Sequence, residues 1–350
     1  MKVEEFLKRP GSWLVPAEDN SIAISSRIRL ARNFREFPFP DWAGEEKCVR
    51  IWEELKSIFK DMKSFPDPLV TGMGTLKKLD KKILFERHLI SREHENKGKG
   101  SGLVVRFDES IAIMINEEDH LRIQALRPGL DLKSAWRSID AVDTELEQKI
   151  RYAFSPSLGY LTACPSNVGT GMRASVMVHI PGLVLMDEVN PIIKGMGKIG
   201  IAVRGLWGEG TEASGNMFQV SNQITLGDKE EDMIAHLKQI ILELIEHERN
   251  ARSRLMEKKP MMVQDHVGRA YGILTHAHVL SSQETLNLLS SLRLGVDMGI
   301  LKTVDLSVIN ELLILTQPGH LQKLEGRRLK ADERDQVRAQ LVRMKLLNGK

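Results

Sequence analysis

Arg27 and Arg29 in the run SSRIR stand two residues apart, so on an extended strand both side chains project from one face. Guanidinium groups placed that way repel each other unless solvent or an anion lies between them. Alone, the pair reads as a basic, solvent-facing sheet surface. Further arginines weaken that reading. Arg122 follows NEEDHL, Arg173 sits in GTGMRASV and Arg204 opens RGLWGEG, each at the edge of an apolar, strand-like segment. A polyphosphate gives all of them a purpose, because the planar guanidinium fork matches phosphate oxygens and keeps its charge at working pH. Arginines from separate strands can surround a triphosphate without a Walker loop, and the chain has no GxxxxGK[ST]. The HRD and DFG signatures of protein kinases are absent too. Gly169 and Gly171 in NVGTGMR permit close backbone approach, by itself a weak signal.

Glu117, Glu118 and Asp119 form an acidic run directly after SIAIMIN, and Glu209 lies between glycines in GEG. Each suits a solvated loop charge. Beside a polyphosphate site the two loops gain a specific use. A guanidinium is planar, has a pKa above about 12 and is a poor nucleophile while protonated. Two carboxylates from different loops can hold two edges of its plane and accept a proton during attack. Proximity and alignment supply much of the rate in phosphoryl transfer. Cys164 in TACPSN is either a buried apolar thiol or a thiolate beside a guanidinium, where positive charge lowers its pKa. Near the end of the chain, Arg334 and Arg338 in RDQVRA are four apart and share a helix face. With Glu333 and Asp335 close by, the physical reading there is a solvated helix.

The elements that must position these residues follow from apolar spacing. Residues 20–30 alternate like a strand, and 42–63 carry apolar groups at helical spacing. After a turn at 95–102, GLVVRFD and SIAIMIN predict a hairpin with Asp108, Glu109 and Ser110 at its tip. Strand signals recur at 158–163, 173–180, 199–205 and 216–226, and helical spacing covers 131–154 and 228–258. Beyond Pro260 helical patterns dominate. The expected fold class is α+β: a large, mainly antiparallel sheet flanked by helices over 1–258, then a small all-α domain over 259–350. The apolar face of 273–315 suits packing within that domain or against a second subunit.

Composition narrows the partners. With 50 basic and 47 acidic residues the net charge is only +3, without the basic excess of a dedicated nucleic-acid binder. Two cysteines, Cys48 and Cys164, make no disulfide framework and fit a reducing cytoplasm. The N-terminus lacks an apolar signal core and no apolar run reaches spanning length, so a soluble cytoplasmic protein with no membrane partner is expected.

Taken together, these segments resemble the phosphagen (guanidino) kinases, the family of arginine kinase and creatine kinase. SSRIRLARN is similar to their S-[ST]-R-[IV]-R segment and INEEDHLRI to their NEEDHLR motif. CPSNVGTGMRASV matches C-P-[ST]-N-x-G-T-x-x-R-A-[SG]-V, and VRGLWGEG matches R-G-x-x-G-E, all in the family's order. The resemblance implies ATP as phosphoryl donor, with Mg2+ held mainly through its phosphates rather than by a protein metal site. It implies nucleotide contacts from Ser25, Ser26, Arg27, Ile28 and Arg29, from Arg122, and from Arg173, Ala174, Ser175, Val176 and Met177. The same role falls to Arg204, Gly205, Leu206, Trp207, Gly208 and Glu209, and to His88 near the adenine. Glu118 and Glu209 would grip the acceptor guanidinium, with Cys164 beside it.

Three departures narrow the branch. With the SxRxR motif beginning at Ser25, the family's small preceding helical domain is expected to be absent; Met177 replaces an adenine-side histidine; and a helical extension follows the kinase region. These features are similar to the bacterial McsB branch, whose substrate is arginine within proteins. That branch implies an McsA activator, the CtsR repressor as a target, marking of proteins for ClpC–ClpP, and a homodimer. In it, RDxxRA forms a phosphoarginine-binding allosteric site, here Arg334, Asp335, Gln336, Val337, Arg338 and Ala339. A kinase for free arginine and a catalytically silent phosphoarginine-binding adaptor are the alternatives.

Overall fold

Strand β1 (Ala23–Arg32) buries Ser26, Ile28 and Leu30 on one face and leaves Arg27 and Arg29 half-buried on the other. The computed structural model in which it sits describes residues 3–15, 22–205 and 214–348. β1 belongs to an eight-stranded sheet with β2 (Leu69–Gly72), β3 (Gly102–Val105), β4 (Ile111–Ile115) and β5 (Leu121–Pro128). A two-stranded hairpin, β6 (Phe154–Ser155) with β7 (Gly159–Tyr160), stands apart from it. The large sheet is completed by β8 (Met172–His179), β9 (Ile201–Gly205) and β10 (Met217–Asn222), in the order β2-β3-β4-β5-β1-β8-β10-β9. Pairing is antiparallel from β2 through β3, β4 and β5 to β1.

Helices α1 (Pro40–Lys60), α2 (Lys78–Glu86), α3 (Arg92–Glu95) and α4 (Leu132–Glu147) accompany the first strands. They are followed by α5 (Pro181–Leu185), α6 (Val189–Lys198) and the long α7 (Glu230–Lys258). α7 stops where Pro260 begins α8 (Pro260–His276), because the residue before a proline is driven out of helical geometry while proline itself suits the first helical turn. From there all described elements are helical: α9 (Ser282–Asp297), α10 (Leu306–Leu315), α11 (Pro318–Leu324) and α12 (Ala331–Asn348). By contact the chain divides into two interleaved compact units. One comprises Met1–Trp13, Ser25–Val176 and Ser221–Lys238; the other comprises Leu14–Ile24, Met177–Val220 and Gln239–Lys350.

In the first unit, Ile83, Leu84, Leu89 and Ile90 pack with Leu103 and Val105 of β3 and Ala112 and Met114 of β4. The β4–β5 register pairs Met114 with Arg122 and Ala112 with Gln124, so this core lies on the sheet face that carries the arginines. The opposite face holds Ile28, Leu30, Ile123 and Ala125, all essentially inaccessible. α4 supplies Leu132, Ala135, Ile139, Val142 and Leu146 as its buried stripe and is capped by Asp131, whose carboxylate accepts from the Ser134 N–H.

In the second unit, Leu274, Leu280, Leu286, Leu289, Leu292 and Leu294 are buried within the chain itself, while Ile273 stays exposed. The helix expected at RDQVRA forms as part of α12, but it is not solvated at Arg338. Arg338 is 1% exposed, and its fork donates to the carbonyls of Thr316 (2.8 Å) and Leu280 (2.7 Å), to Ser282 Oγ (2.7 Å) and to Asp335. Burying the arginine is tolerable because carbonyl oxygens replace its water. Two strand expectations also shorten. The 216–226 stretch leaves the sheet at Asn222, whose amide takes over the bonding by accepting from Ala174 N–H and donating to the Met172 and Ile224 carbonyls. The 158–163 stretch is strand only at Gly159–Tyr160, because Leu161 and Ala163 are bonded to the side chains of Asn33 and Asp119.

Arg32, at the end of β1, ties the fold to the glycine turn. It is 2% exposed, makes an ion pair with Asp143 of α4 (2.7 Å), donates to the Thr170 carbonyl (2.9 Å) and lies over the Tyr160 ring. Tyr152 shares the same carboxylate. Asp143→Ala strands a buried guanidinium and is expected to destabilise the protein by about 3–5 kcal/mol, read as a lower urea midpoint.

Candidate active site

The β1–β5 register opposes Arg29 to Gln124 and Ala31 to Arg122, which makes Arg29 and Arg122 diagonal neighbours on one face. On the other side of β1, Ala31 N–H donates to the Gly171 carbonyl (2.9 Å), and β8 runs on from there with Arg173. Gly171 has φ +65°, and a Cβ on it would lie 2.7 Å from both the Ala31 carbonyl oxygen and Arg32 Nη1, so only glycine lets the turn press against β1 at this point. Burial, followed by the charges of Arg122 and Arg173, draws the Arg27 guanidinium down to about 9. Arg29 is pushed well below its ordinary value by burial and by Arg27, Arg122 and Arg173, and its buried Nε has no hydrogen-bond partner among the described residues. Arginines this close give a surface that favours a polyanion.

Strand alternation sorts the neighbouring residues. Ile28, Ala174 and Val176 turn into the core and can offer only backbone to the arginine face. Ser26 is also turned away, donating to the Gly129 carbonyl and accepting from Asp131 N–H. Ser25 shares the parity of Arg27, while Ser175 and Met177 share that of Arg173; all three are buried. Arg204 and Gly205 close β9 in the second compact unit. Leu206, Trp207, Gly208 and Glu209 lie outside the described residues.

His88 follows α2, and the α2 core brings it to the arginine face. Gln124 donates to its carbonyl (2.8 Å), and its ring meets Trp13 edge-on at 4.8 Å. Burial and the Arg27 charge lower its pKa to about 3, which keeps the imidazole neutral at physiological pH. A neutral ring beside a row of arginines suits contact with a flat heterocycle.

The NEEDH run is built to expose one residue. Asn116 takes a left-handed φ of +55°, which asparagine tolerates, and its amide donates to the carbonyls of Cys48 (2.9 Å) and Gly100 (2.7 Å). Glu117 is 1% exposed. It accepts from Arg122 through both oxygens at 2.8 Å and from Ser91, and these partners outweigh burial to hold its carboxyl below the usual range. Asp119 is buried and accepts from Asn33 Nδ2 (2.5 Å) and Ala163 N–H (2.7 Å). His120 accepts at Nδ1 from Phe34 N–H, which leaves Nε2–H to donate to the Pro38 carbonyl. Glu118 alone of this run is exposed. Its carboxyl is shifted upward by desolvation and then by Asp119, against the pull of Arg122. The Asp119–Ala163 bond brings this loop to the one bearing Cys164, which is half-buried with its Sγ 3.0 Å from Ser166 Oγ. The solvated-loop expectation therefore holds for Glu118 and fails for Glu117 and Asp119.

The family comparison agrees with this layout. Residues 50–251 match the model for "ATP:guanido phosphotransferase, C-terminal catalytic domain", and 260–350 match "Protein-arginine kinase McsB C-terminal domain". The chain belongs to the ATP:guanido phosphotransferases. It is therefore an ATP-using enzyme that phosphorylates a nitrogenous acceptor. A protein-arginine kinase of Halothermothrix orenii is 45% identical over 99% of both chains, and one of Halalkalibacterium halodurans is 46% identical over 99% of this chain and 98% of its own. Among solved structures, the duplicated taurocyamine kinase of Schistosoma mansoni with bound transition-state-analogue components superposes with a TM-score of 0.59 at 26% identity. That match covers 69% of this chain and 35% of the longer, duplicated one.

Within this guanido phosphotransferase, sequence reasoning missed Glu117, Asp119, Asn33, Ser91 and Gln124 as builders of the site. The polar run after an apolar strand was the only signal for the first two; Asn33 reaches Asp119 across 86 residues of chain and leaves no local trace. Because Glu117 is the counter-charge of Arg122, Glu117→Gln is expected to lower stability by on the order of 3 kcal/mol. ATP should restore more of that loss than it adds to the parent protein. Thermal unfolding with and without ATP reads both effects, and an equal ATP-induced rise in the two proteins would contradict the assignment.

Proposed function

We propose that this guanido phosphotransferase is a protein-arginine kinase, transferring the γ-phosphoryl group of ATP to the guanidinium of arginine side chains in other proteins. The observation that carries the reading is Glu118, the exposed carboxylate of the 117–119 run, near Arg122 in a loop that the Asp119–Ala163 bond joins to the one bearing Cys164. The near full-length likeness to protein-arginine kinases supports a protein-borne acceptor. In this mechanism Arg27, Arg29, Arg122, Arg173 and Arg204 bind the ATP phosphates, and His88 lies along the adenine. Glu118 and Glu209 hold the acceptor guanidinium, and a carboxylate takes its proton as nitrogen attacks phosphorus. Cys164 borders the acceptor. Mg2+ would be held mainly through the ATP phosphates, where it would neutralise developing charge.

The same reading includes the partners of the family: an McsA-type activator, CtsR as a target, recognition of marked proteins by ClpC–ClpP, and a homodimer. It also includes phosphoarginine binding at the 334–339 helix. There Arg338 is committed to α9 and Thr316, whereas Arg334 is half-buried with Nη1 on the Leu329 carbonyl (3.0 Å). Arg334 is the residue to change. Arg334→Ala should lose phosphoarginine affinity in titration at least about tenfold while ATP binding is kept; unchanged affinity would reject the site.

Incubation with Mg-ATP and either free arginine or an unfolded, arginine-rich protein, followed by detection of acid-labile phosphate, tests the substrate. Phosphate on the protein is expected; phosphate on free arginine alone overturns the proposal. If Glu118 accepts the proton, its protonated form is inactive, so activity falls as pH drops through its pKa. Because that pKa is raised, the acid limb of kcat/KM should lie above the ordinary glutamate value of about 4.3. Glu118→Gln should remove that limb and lower kcat by about 100-fold or more.

A further inference from the structure

Gln283, Asn287 and Ser290 lie at helical spacing on α9 and so share one face. All three bond to the short turn Ser214–Asn216 that leads into β10. Ser214 Oγ donates to Gln283 Oε1 (2.9 Å), Gly215 N–H donates to Asn287 Oδ1 (3.0 Å), and Asn216 Nδ2 donates to Ser290 Oγ (3.1 Å). The turn is shaped for this docking. Gly215 and Asn216 have φ of +65° and +53°, and a Cβ on Gly215 would lie 2.9 Å from the Leu286 carbonyl oxygen. Ser290 is fully buried and also bonds His179 Nε2 (2.8 Å), at the end of β8, while Ile180 N–H donates to the Asn216 carbonyl (3.1 Å).

We propose that this face of α9 is a socket that fixes the Ser214–Asn216 turn, making Gln283, Asn287 and Ser290 positioning residues for phosphoryl transfer. Ser214 follows Glu209 by a few residues in the chain. The socket thus fixes the chain at Ser214, on the C-terminal side of Glu209 in sequence. The inference rests on the reading that Glu209 acts on the acceptor. α9 is itself held at its first turn by α12: Arg338 donates to Leu280 O and Ser282 Oγ, and Leu280 N–H donates to the Asp335 carbonyl (3.1 Å). A ligand that draws Arg338 away therefore loosens the turn of α9 next to Gln283, which gives the 334–339 helix a physical route to the acceptor side of the reaction.

The test uses the full-length protein with Gly215→Ala, which crowds the turn, and Asn287→Ala, which removes its central acceptor. For both, kcat should fall about 10- to 100-fold with an ATP dissociation constant near that of the parent, and Asn287→Ala should also keep a near-parental melting temperature. Asn287→Asp, which keeps the acceptor for Gly215 N–H, should recover most of the rate. Parent-like kcat in both variants overturns the socket, as does a loss of rate in Asn287→Ala that merely follows lost ATP affinity or lost stability. Glu209→Ala is measured alongside. Near-normal turnover there overturns the Glu209 reading and the inference with it, whereas an inactive Glu209→Ala beside fully active turn variants overturns the socket alone.

Discussion

Like charges held at strand spacing set the terms for the first compact unit. Arg27 and Arg29 on β1, Arg122 on β5 and Arg173 on β8 cannot move apart, because each strand is locked into the ladder and the opposite face is packed core. The cost appears as the downward pull on Arg27 and Arg29. Electrostatic strain stored this way favours an anion in proportion to how rigidly the groups are held, since nothing must be reorganised when the ligand arrives. Glu117 shows how the balance is tuned. It neutralises Arg122, which donates to both of its oxygens.

The same economy governs the acidic run. Four residues of NEEDH are consumed in building a tight loop, and their bonds reach Asn33 and Phe34 just after β1, the Cys48 region and the Ala163 loop. What they produce is the placement of one carboxylate whose proton affinity is raised above that of a free glutamate. Under the proposed mechanism, a cationic, planar acceptor needs such a carboxylate at a fixed angle, and a backbone pinned on both sides of Glu118 would provide it more firmly than the side chain's own rotamers could.

Much of this was legible in the sequence, for reasons that differ by element. Alternation across 20–30 revealed β1 and the shared face of Arg27 and Arg29, and the 102–116 hairpin followed from two apolar runs around a polar tip. The all-helical character after Pro260 was equally plain. The failures are polar groups that bond over long sequence separations. Arg338 looked like a solvated helix charge because its carbonyl partners at Leu280 and Thr316 are 58 and 22 residues away. Likewise Asn222 cut short an apparently continuous strand by bonding back to Met172 and Ala174. Periodicity reports which face is apolar; it carries no information on which buried donor meets which carbonyl.

Within the second compact unit the helical region after Pro260 is more than an appended bundle. A helix that only packed would present leucines to its neighbour, as α9 does through Leu286, Leu289 and Leu292. α9 also presents an amide, a second amide and a hydroxyl in register with three consecutive residues of a turn. Apolar contacts tolerate small slips along the helix, whereas three directional bonds to one turn do not. The kinase region's β8 terminus meets the same serine through His179, whose burial beside Arg293 and Arg252 keeps its ring neutral and able to share that hydroxyl. With Arg338 clamping the start of α9, displacement of that helix by a fraction of an ångström would be felt at the turn before β10. Under the proposed phosphoarginine site, such a linkage would carry a binding event on α12 to that turn without local unfolding.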